Sequence, residues 1–453
     1  MTTSSVPPIP LRLWAVAMIT GSGAFMAMLD STVANLALEA IRVDFDASLA
    51  KVQWVATGYL ITLAVSLPLT GWLGRRFGQS RLWIITTFAF ILASVLCALS
   101  SDLWLLVIAR CLQGLAAGLM VSTGQALLST LADRRQLGRL MGTVGFAVAL
   151  GPALGPGFGG MLIDTLSWRW LFWINVPVGA LALIAARTML PVDETPQESP
   201  LDGRGVVMMG TGLPLLLYGT AEIGASGLGL ISLASFALGL SLTVAFLWTA
   251  RNAAAPLIDM RLLNRPGFTM AVAVSGLTGA AMYGGLLLFP LYFQDVLRQS
   301  PTEAGLMLLA MGLGSALALP FAGALTDERG PAVVCLAGAI MLVIGTASFV
   351  VMPLLPIAGF AALLFLRGIG LALAQMPAMT AAYGAVEKHE TGDAATLVNI
   401  GQRLGGALGA IATVIVLEHG SPVDDASFQW ALLLLLGFAL AALFMSRGLP
   451  GKE

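Results

Sequence analysis

Gly142 to Gly160 read GTVGFAVALGPALGPGFGG. Gly151, Gly155 and Gly159 recur every four residues, so a helix here carries them as one bare stripe. Pro152 and Pro156 each remove a backbone donor and are expected to bend that helix. In water the run would be a poor helix. In lipid it is acceptable, because a glycine stripe lets another helix approach closely and neighbouring helices satisfy the freed backbone groups. The stretch therefore points to a helix packed among other helices inside a bilayer.

The rest of the chain agrees. Of its 453 residues 58% are hydrophobic and 10% charged, where a soluble domain carries about a quarter charged. Apolar runs of about 20 residues recur along the whole length, which predicts an all-α polytopic membrane protein. Fourteen spans are expected, near residues 13–37, 53–74, 82–100, 103–126, 139–163, 169–190, 205–222, 229–250, 268–293, 303–325, 332–352, 357–383, 395–417 and 430–447. A net charge of −1 excludes a globally basic nucleic-acid binder. Cys97, Cys111 and Cys335 fall inside apolar runs and read as small packing residues, without disulfide or zinc spacing. The N-terminal MTTSSVPPIPLR leads into a full-length span, so it is read as retained rather than cleaved.

Counting Lys and Arg sets the expected orientation. With the N-terminus in the cytoplasm, sixteen fall on the cytoplasmic side and four outside, at Arg42, Lys51, Arg169 and Arg298. Arg110, Arg367 and Arg403 remain within spans. Both termini are then cytoplasmic and the span count is even. The chain also repeats itself. Gly71, Leu73 and Gly78 recur in spacing as Gly323, Leu325 and Gly330, Arg110 has a counterpart in Arg367, and Gly151, Gly155 and Gly159 are echoed by Gly401, Gly405 and Gly409. The expected organisation is a cytoplasmic N-terminus at 1–12, a six-helix bundle at 13–190, a linker with two extra helices at 191–265, a second six-helix bundle at 266–447 and a tail at 448–453. Paired bundles around a central site are the architecture of alternating-access transporters.

Few residues can carry chemistry. Asp30 is the one acid well inside a span, in AFMAMLDSTVANLAL. Burial favours its neutral form, which suits it to take up and release a proton; the alternative is an anchor near the outer interface. Arg110 needs a partner, and Asp30, a substrate anion and exposed carbonyls are the candidates. Arg367 reads as structural, and Arg403 as able to snorkel toward the cytoplasmic side. Phe25, Met26, Met120, Gln125, Met282, Tyr283, Met307, Met311, Gln375, Met376, Met379 and Arg403 are the candidates for a central substrate cavity, since thioethers and rings adapt to varied apolar ligands. Each alone is equally a packing residue. There is no Gly-rich phosphate loop, no Ser/His/Asp arrangement and no metal cluster, so neither an enzyme nor a cofactor is expected.

In these motifs the chain resembles the major facilitator superfamily and, within it, the fourteen-span drug:proton antiporters. Gly142, Gly151, Gly155, Pro156, Gly159 and Gly160 match the antiporter motif of the fifth helix. Leu29, Asp30, Thr32, Val33, Asn35 and Ala37 match the first-helix motif, and Arg110, Gln113 and Gly114 the fourth-helix motif, whose arginine the family implicates in proton coupling. Gln53-Trp54, Thr57 and Tyr59 look like the start of its second helix, and Trp168-Arg169-Trp170, Phe172, Asn175, Pro177 and Gly179 like its sixth. The resemblance implies a major facilitator fold of two six-helix bundles plus two extra central helices. It also implies small-molecule and proton partners, a bacterial cytoplasmic (inner) membrane location and a monomer.

One departure stands out. The loop after the second span usually carries an aspartate where this chain has Arg75, and the partner helix N-terminus there is positive. Glu387, Glu390 and Asp393 precede that helix, so a charge-swapped gate is expected, Arg75 with Asp393 or Glu390, alongside Gly71, Gly78 and Asp327. The expected function is proton-coupled export of small amphipathic compounds by alternating access. The alternatives are a narrow exporter of an organic anion, metabolite or metal chelate, with Arg403 or Arg367 binding the anion, and a transport-inactive sensor or assembly protein.

Overall fold

A computed structural model describes residues 8–133, 135–192, 200–226, 229–251, 256–351, 356–418 and 425–451. These form seventeen α-helices: α1 (Leu11–Leu36), α2 (Leu38–Asp44), α3 (Leu49–Ser66), α4 (Leu69–Phe77), α5 (Gln79–Ala98), α6 (Leu103–Leu131), α7 (Leu137–Thr165), α8 (Trp170–Trp173), α9 (Asn175–Met189), α10 (Gly203–Ser226), α11 (Leu230–Ala250), α12 (Pro266–Leu291), α13 (Pro301–Arg329), α14 (Pro331–Val351), α15 (Ile357–Gly384), α16 (Thr391–Glu418) and α17 (Asp425–Ser446). Among the described residues, eleven helical stretches are long and apolar enough to cross a membrane. The run α3–α4 makes a twelfth when its 59° bend is counted as one span. Pro68 sits at that break, where its missing N–H leaves the helix ladder open. The two remaining expected stretches are helical as well, as α7 and α10.

The helices fall into two sets with one neighbour pattern. In the first, α1 packs on α7 and α9, and α6 on α3 and α5. In the second, α12 packs on α16 and α17, and α15 on α13 and α14. The repeat extends to backbone detail. Gly78 ends α4 at φ 85°, ψ 149°, and Gly330 ends α13 at φ 85°, ψ 155°. Only glycine takes that conformation without strain, which explains why both copies keep it. The sets meet through α7 with α13 and through α16 with α4 and α6, while α10 touches both α3 and α16. We call the end where α1 begins the base and the opposite end the top.

The glycine stripe of α7 packs within its own set. Packing against the tenth span, on Gly305, Gly312 and Gly314, would make it a sliding surface between the sets. A Cβ at Gly151 would instead fall on Met28 and Leu29 of α1, and one at Gly159 on Val33 of α1. A Cβ at Gly305 or Gly312 would meet no neighbouring helix within 4 Å among the described residues, and Gly314 lies on Phe365 of α15. The contact with α13 is made nearer the base, where Gly138 and Gly142 lie on Gly323 and Gly145 on Leu319. The helix continues through Gly155, Pro156 and Gly160, whose surroundings lie outside the described residues, as do those of Asn35. In the second set, Gly401, Gly405 and Gly409 pack on Val272, Gly276 and Ala280 of α12. Both stripes thus bind the first helix of their own set.

Any side chain at Gly405 collides with the Gly276 backbone, whereas Gly312 is open. Gly405→Ala is expected to lower the thermal unfolding midpoint of the purified protein, at the overpacking cost of about 1–3 kcal/mol. Gly312→Ala should leave the midpoint unchanged or raise it. Equal midpoints for the two variants would contradict this packing.

Candidate functional site

Asp30 lies about 29 Å along α1 from Leu11 at a rise of about 1.5 Å per residue, in the top half of the first set. It is 1% exposed, and Arg110 is wholly buried. Arg110 reaches it because Gly114, one turn on, lies on the Tyr59 carbonyl and lets α6 sit tightly against α3. Asp30 Oδ2 accepts from Arg110 Nη1. Oδ1 accepts from Gln113 Nε2 at 2.9 Å and from Asn175 Nδ2 at 3.1 Å. Ser94 Oγ backs both amides, at 2.8 and 3.4 Å.

Arg110 is held as firmly. Its Nε donates to the Val55 carbonyl at 3.1 Å and its Nη1 also to Gln113 Oε1 at 2.6 Å. The guanidinium stacks 4.2 Å from the Tyr59 ring centroid. Both oxygens of Asp30 therefore act as acceptors, which suits the ionised carboxylate. A proton on Asp30 would turn one acceptor into a donor and set it against one of the three donors, from Arg110, Gln113 and Asn175, that now point at the carboxylate.

The second set holds a matching arginine without an acid. Arg367 is wholly buried; its Nη1 donates to Thr346 Oγ1 and its Nη2 to the Ala281 carbonyl at 2.6 Å. Phe289 lies 5.0 Å below it. Thr346 and Ala281 stand where Ser94 and Asp30 stand in the first set, so neutral oxygens replace the carboxylate. Among the described residues no carboxylate bonds to this arginine.

The base is closed by bonds between the sets. Arg75 Nη1 meets Asp393 Oδ2 at 2.7 Å, and Asp393 is packed against Gly71. Arg139 Nε meets Asp327 Oδ2 at 3.0 Å, while Asp327 also accepts the backbone N–H groups of Gly138 and Arg139 at 2.7 and 2.9 Å. Asp327 thus caps the start of α7. Thr130 and Thr391 hydroxyls lie 2.8 Å apart. Glu390, the other expected partner of Arg75, is taken by Arg265, with two bonds at 2.7 and 2.8 Å. These bonds stabilise the charged form of Arg265 and raise its pKa.

The cavity candidates divide. Met26 and Met120 are buried inside the first set, Met26 against Gly179 and Met120 against Gly23 beside Trp83, so they do not line an opening between the sets. Met311 and Met376 are buried as well, at 5% and 2% exposure. Phe25, Gln125, Met282, Met307, Gln375, Met379 and Arg403 keep partial exposure, and Tyr283 is 40% exposed. Gln125 joins the sets: its Oε1 accepts from Asn399 Nδ2 at 3.1 Å and from the Tyr383 hydroxyl at 3.3 Å. Sequence reading missed Asn399 and Ser94. Asn399 is an amide within a span and is visible as such; Ser94 leaves no signal, because serines are common on packed membrane helices.

The fold and this arrangement are those of a membrane transporter, not an enzyme. The chain matches the family profile described as Major Facilitator Superfamily over residues 20–410 and 272–452, and it belongs to that superfamily. It is 34% identical over 407 residues to the Multidrug resistance protein B homolog of Mycobacterium tuberculosis, covering 87% of this chain and 74% of that protein. It is 27% identical over 429 residues to the Lincomycin resistance protein LmrB of Listeria monocytogenes, covering 92% and 88%. Among solved structures, the human organic anion transporter MFSD10 superimposes with a TM-score of 0.65 at 15% identity, covering 97% of this chain and 100% of that one. The proton:xylose symporter XylE gives 0.66 at 16% identity, covering 98% and 97%. At these identities the two structures show the shared fold alone.

Proposed function

We propose that the chain is a proton-coupled antiporter that exports small amphipathic compounds across a bacterial cytoplasmic membrane. The observation that carries this is the buried Asp30, held by Arg110, Gln113 and Asn175. A proton bound there breaks a network shared by α1, α5, α6 and α9, so proton binding and helix position become one equilibrium. Sequence similarity to proteins named for multidrug and lincomycin resistance supports export of compounds of that kind.

The base takes the cytoplasmic side, following the Lys and Arg bias, with both termini there. Fourteen spans, two six-span bundles with the linker helices α10 and α11 between them, and a monomer complete the proposal. In this conformation the ion pairs at the base close the cytoplasmic route, as in an outward-facing state. The outward state loads Asp30 with a proton and releases substrate; the inward state releases the proton and rebinds substrate.

The test is a substrate screen in proteoliposomes carrying an internal pH-sensitive dye. Adding a transported compound should collapse an imposed pH gradient faster than in protein-free vesicles. A panel of amphipathic compounds that all leave the gradient untouched would contradict the proposal.

A further inference from the structure

α16 presents one stripe to the first set, Asp393, Thr396, Asn399 and Arg403, at helical spacing. The first three are bonded across the junction. Asp393 meets Arg75, Thr396 Oγ1 donates to the Leu67 carbonyl at 3.2 Å, and Asn399 reaches Gln125. Arg403 comes one turn further from the base, and among the described residues it makes no hydrogen bond or ion pair. Among the described residues the bonded part of this stripe ends at Asn399. Arg403 lies about 18 Å along α16 from Thr391 at about 1.5 Å per residue. That is too deep for its guanidinium to snorkel out at the base, which corrects the expectation from sequence.

The opposite wall supplies a second unused group. On α6, Ser122 lies one turn from Gln125, is 1% exposed, and its hydroxyl has no hydrogen-bond partner among the described residues. α6 runs toward the base and α16 away from it. Stepping from Gln125 to Ser122 and from Asn399 to Arg403 therefore climbs the same way, which brings the two groups to one level. Tyr59 of α3 is close enough to feel the Arg403 charge. The other two span arginines are committed, Arg110 to Asp30 and Arg367 to Thr346 and Ala281. An unpaired cation inside a span is costly and is kept where it meets a ligand or an ion path.

We propose that Arg403 and the Ser122 hydroxyl form a subsite for the anionic head, a carboxylate or sulfonate, of an amphipathic substrate held where the two helix sets part. This rests on the export function proposed above and narrows its substrate class. The guanidinium supplies charge-assisted donors and the hydroxyl a further one.

The subsite is tested by dye binding, with the full chain in lipid nanodiscs and fluorescence anisotropy of fluorescein, an anion, against ethidium, a cation. Arg403→Gln should weaken fluorescein binding about tenfold or more, the loss expected of a charge-assisted contact, without weakening ethidium. Arg403→Lys should fall between, keeping the charge but not the fork. Ser122→Ala should weaken fluorescein in the same direction by less. The thermal midpoint of Arg403→Gln should equal or exceed wild type, because an unpaired charge has left the span; a purely structural arginine predicts the reverse. A wild type that fails to bind fluorescein, equal fluorescein affinity in wild type and Arg403→Gln, or a lower midpoint with both dyes weakened would each overturn the subsite. Binding is read without a gradient. A protein that binds fluorescein through Arg403 yet moves no dye in proteoliposomes would count against export and not against the subsite.

Discussion

Asp30→Asn is expected to abolish transport driven by a pH gradient while sparing substrate exchange across vesicles at equal pH. Asparagine keeps the shape and one acceptor for Gln113 and Asn175, but it cannot carry the proton. The substitution also leaves Arg110 as a buried charge without its counter-ion, a situation that costs about 3–5 kcal/mol when one partner of a buried pair is removed. A loss of function from misfolding must therefore be separated from a loss of coupling. The double variant Asp30→Asn/Arg110→Gln removes both charges and should recover most of the thermal midpoint lost by the single one. It should recover none of the gradient-driven transport, which is read as uptake into vesicles after a pH jump. Undiminished proton-driven uptake in either variant would falsify the assignment of Asp30.

The second large effect belongs to the base. Arg75→Asp places a second carboxylate against Asp393, which is 3% exposed, and should reduce transport about tenfold or more, given the several kcal/mol that such a buried contact is worth. Adding Asp393→Arg should restore part of it. Restoration is partial because a cation in the first turn of α16 opposes the helix dipole by about 0.3–1 kcal/mol. The same exchange at the other pair, Arg139→Asp with Asp327→Arg, should restore nothing. Asp327 also accepts two backbone N–H groups at the start of α7, and an arginine there has no acceptor to offer them. Equal rescue at both pairs, measured as initial efflux rates, would show that the contacts act as charge alone and that the capping is irrelevant.

Much of this was legible from residues. Apolar length marks where helices form: helices stand at each of the fourteen places, twelve of them long and apolar enough to cross a membrane when α3–α4 counts as one. The Arg110–Asp30 pair follows from the cost of leaving either alone in lipid. Arg75 with Asp393 follows from a helix N-terminus facing a misplaced cation. The choice between Asp393 and Glu390 was not legible, because it depends on Arg265, a linker residue whose position only the tertiary fold supplies. Which helix fills the glycine stripe was not legible for a related reason. A period of four gives one bare face but not which neighbour fills it, and α1 of the same set lies closer than α13. Methionine type did not distinguish Met26 and Met120, packed beside Trp83, from Met282, which stays partly open. Arg403 was misplaced in depth because the start of α16 lies several residues before the apolar run that marked it.

The two ion pairs at the base are one contact repeated by internal symmetry with its polarity reversed. Arg75 and Arg139 both belong to the first set, and Asp327 and Asp393 both to the second. Neither set is therefore complementary to a copy of itself. Two first sets would bring arginine against arginine at both contacts, and two second sets aspartate against aspartate, each desolvated and unpaired. A repeat with one acid and one base in each copy would close equally well as a homodimer. Here the sign pattern acts as a key that favours the unlike partner at both contacts.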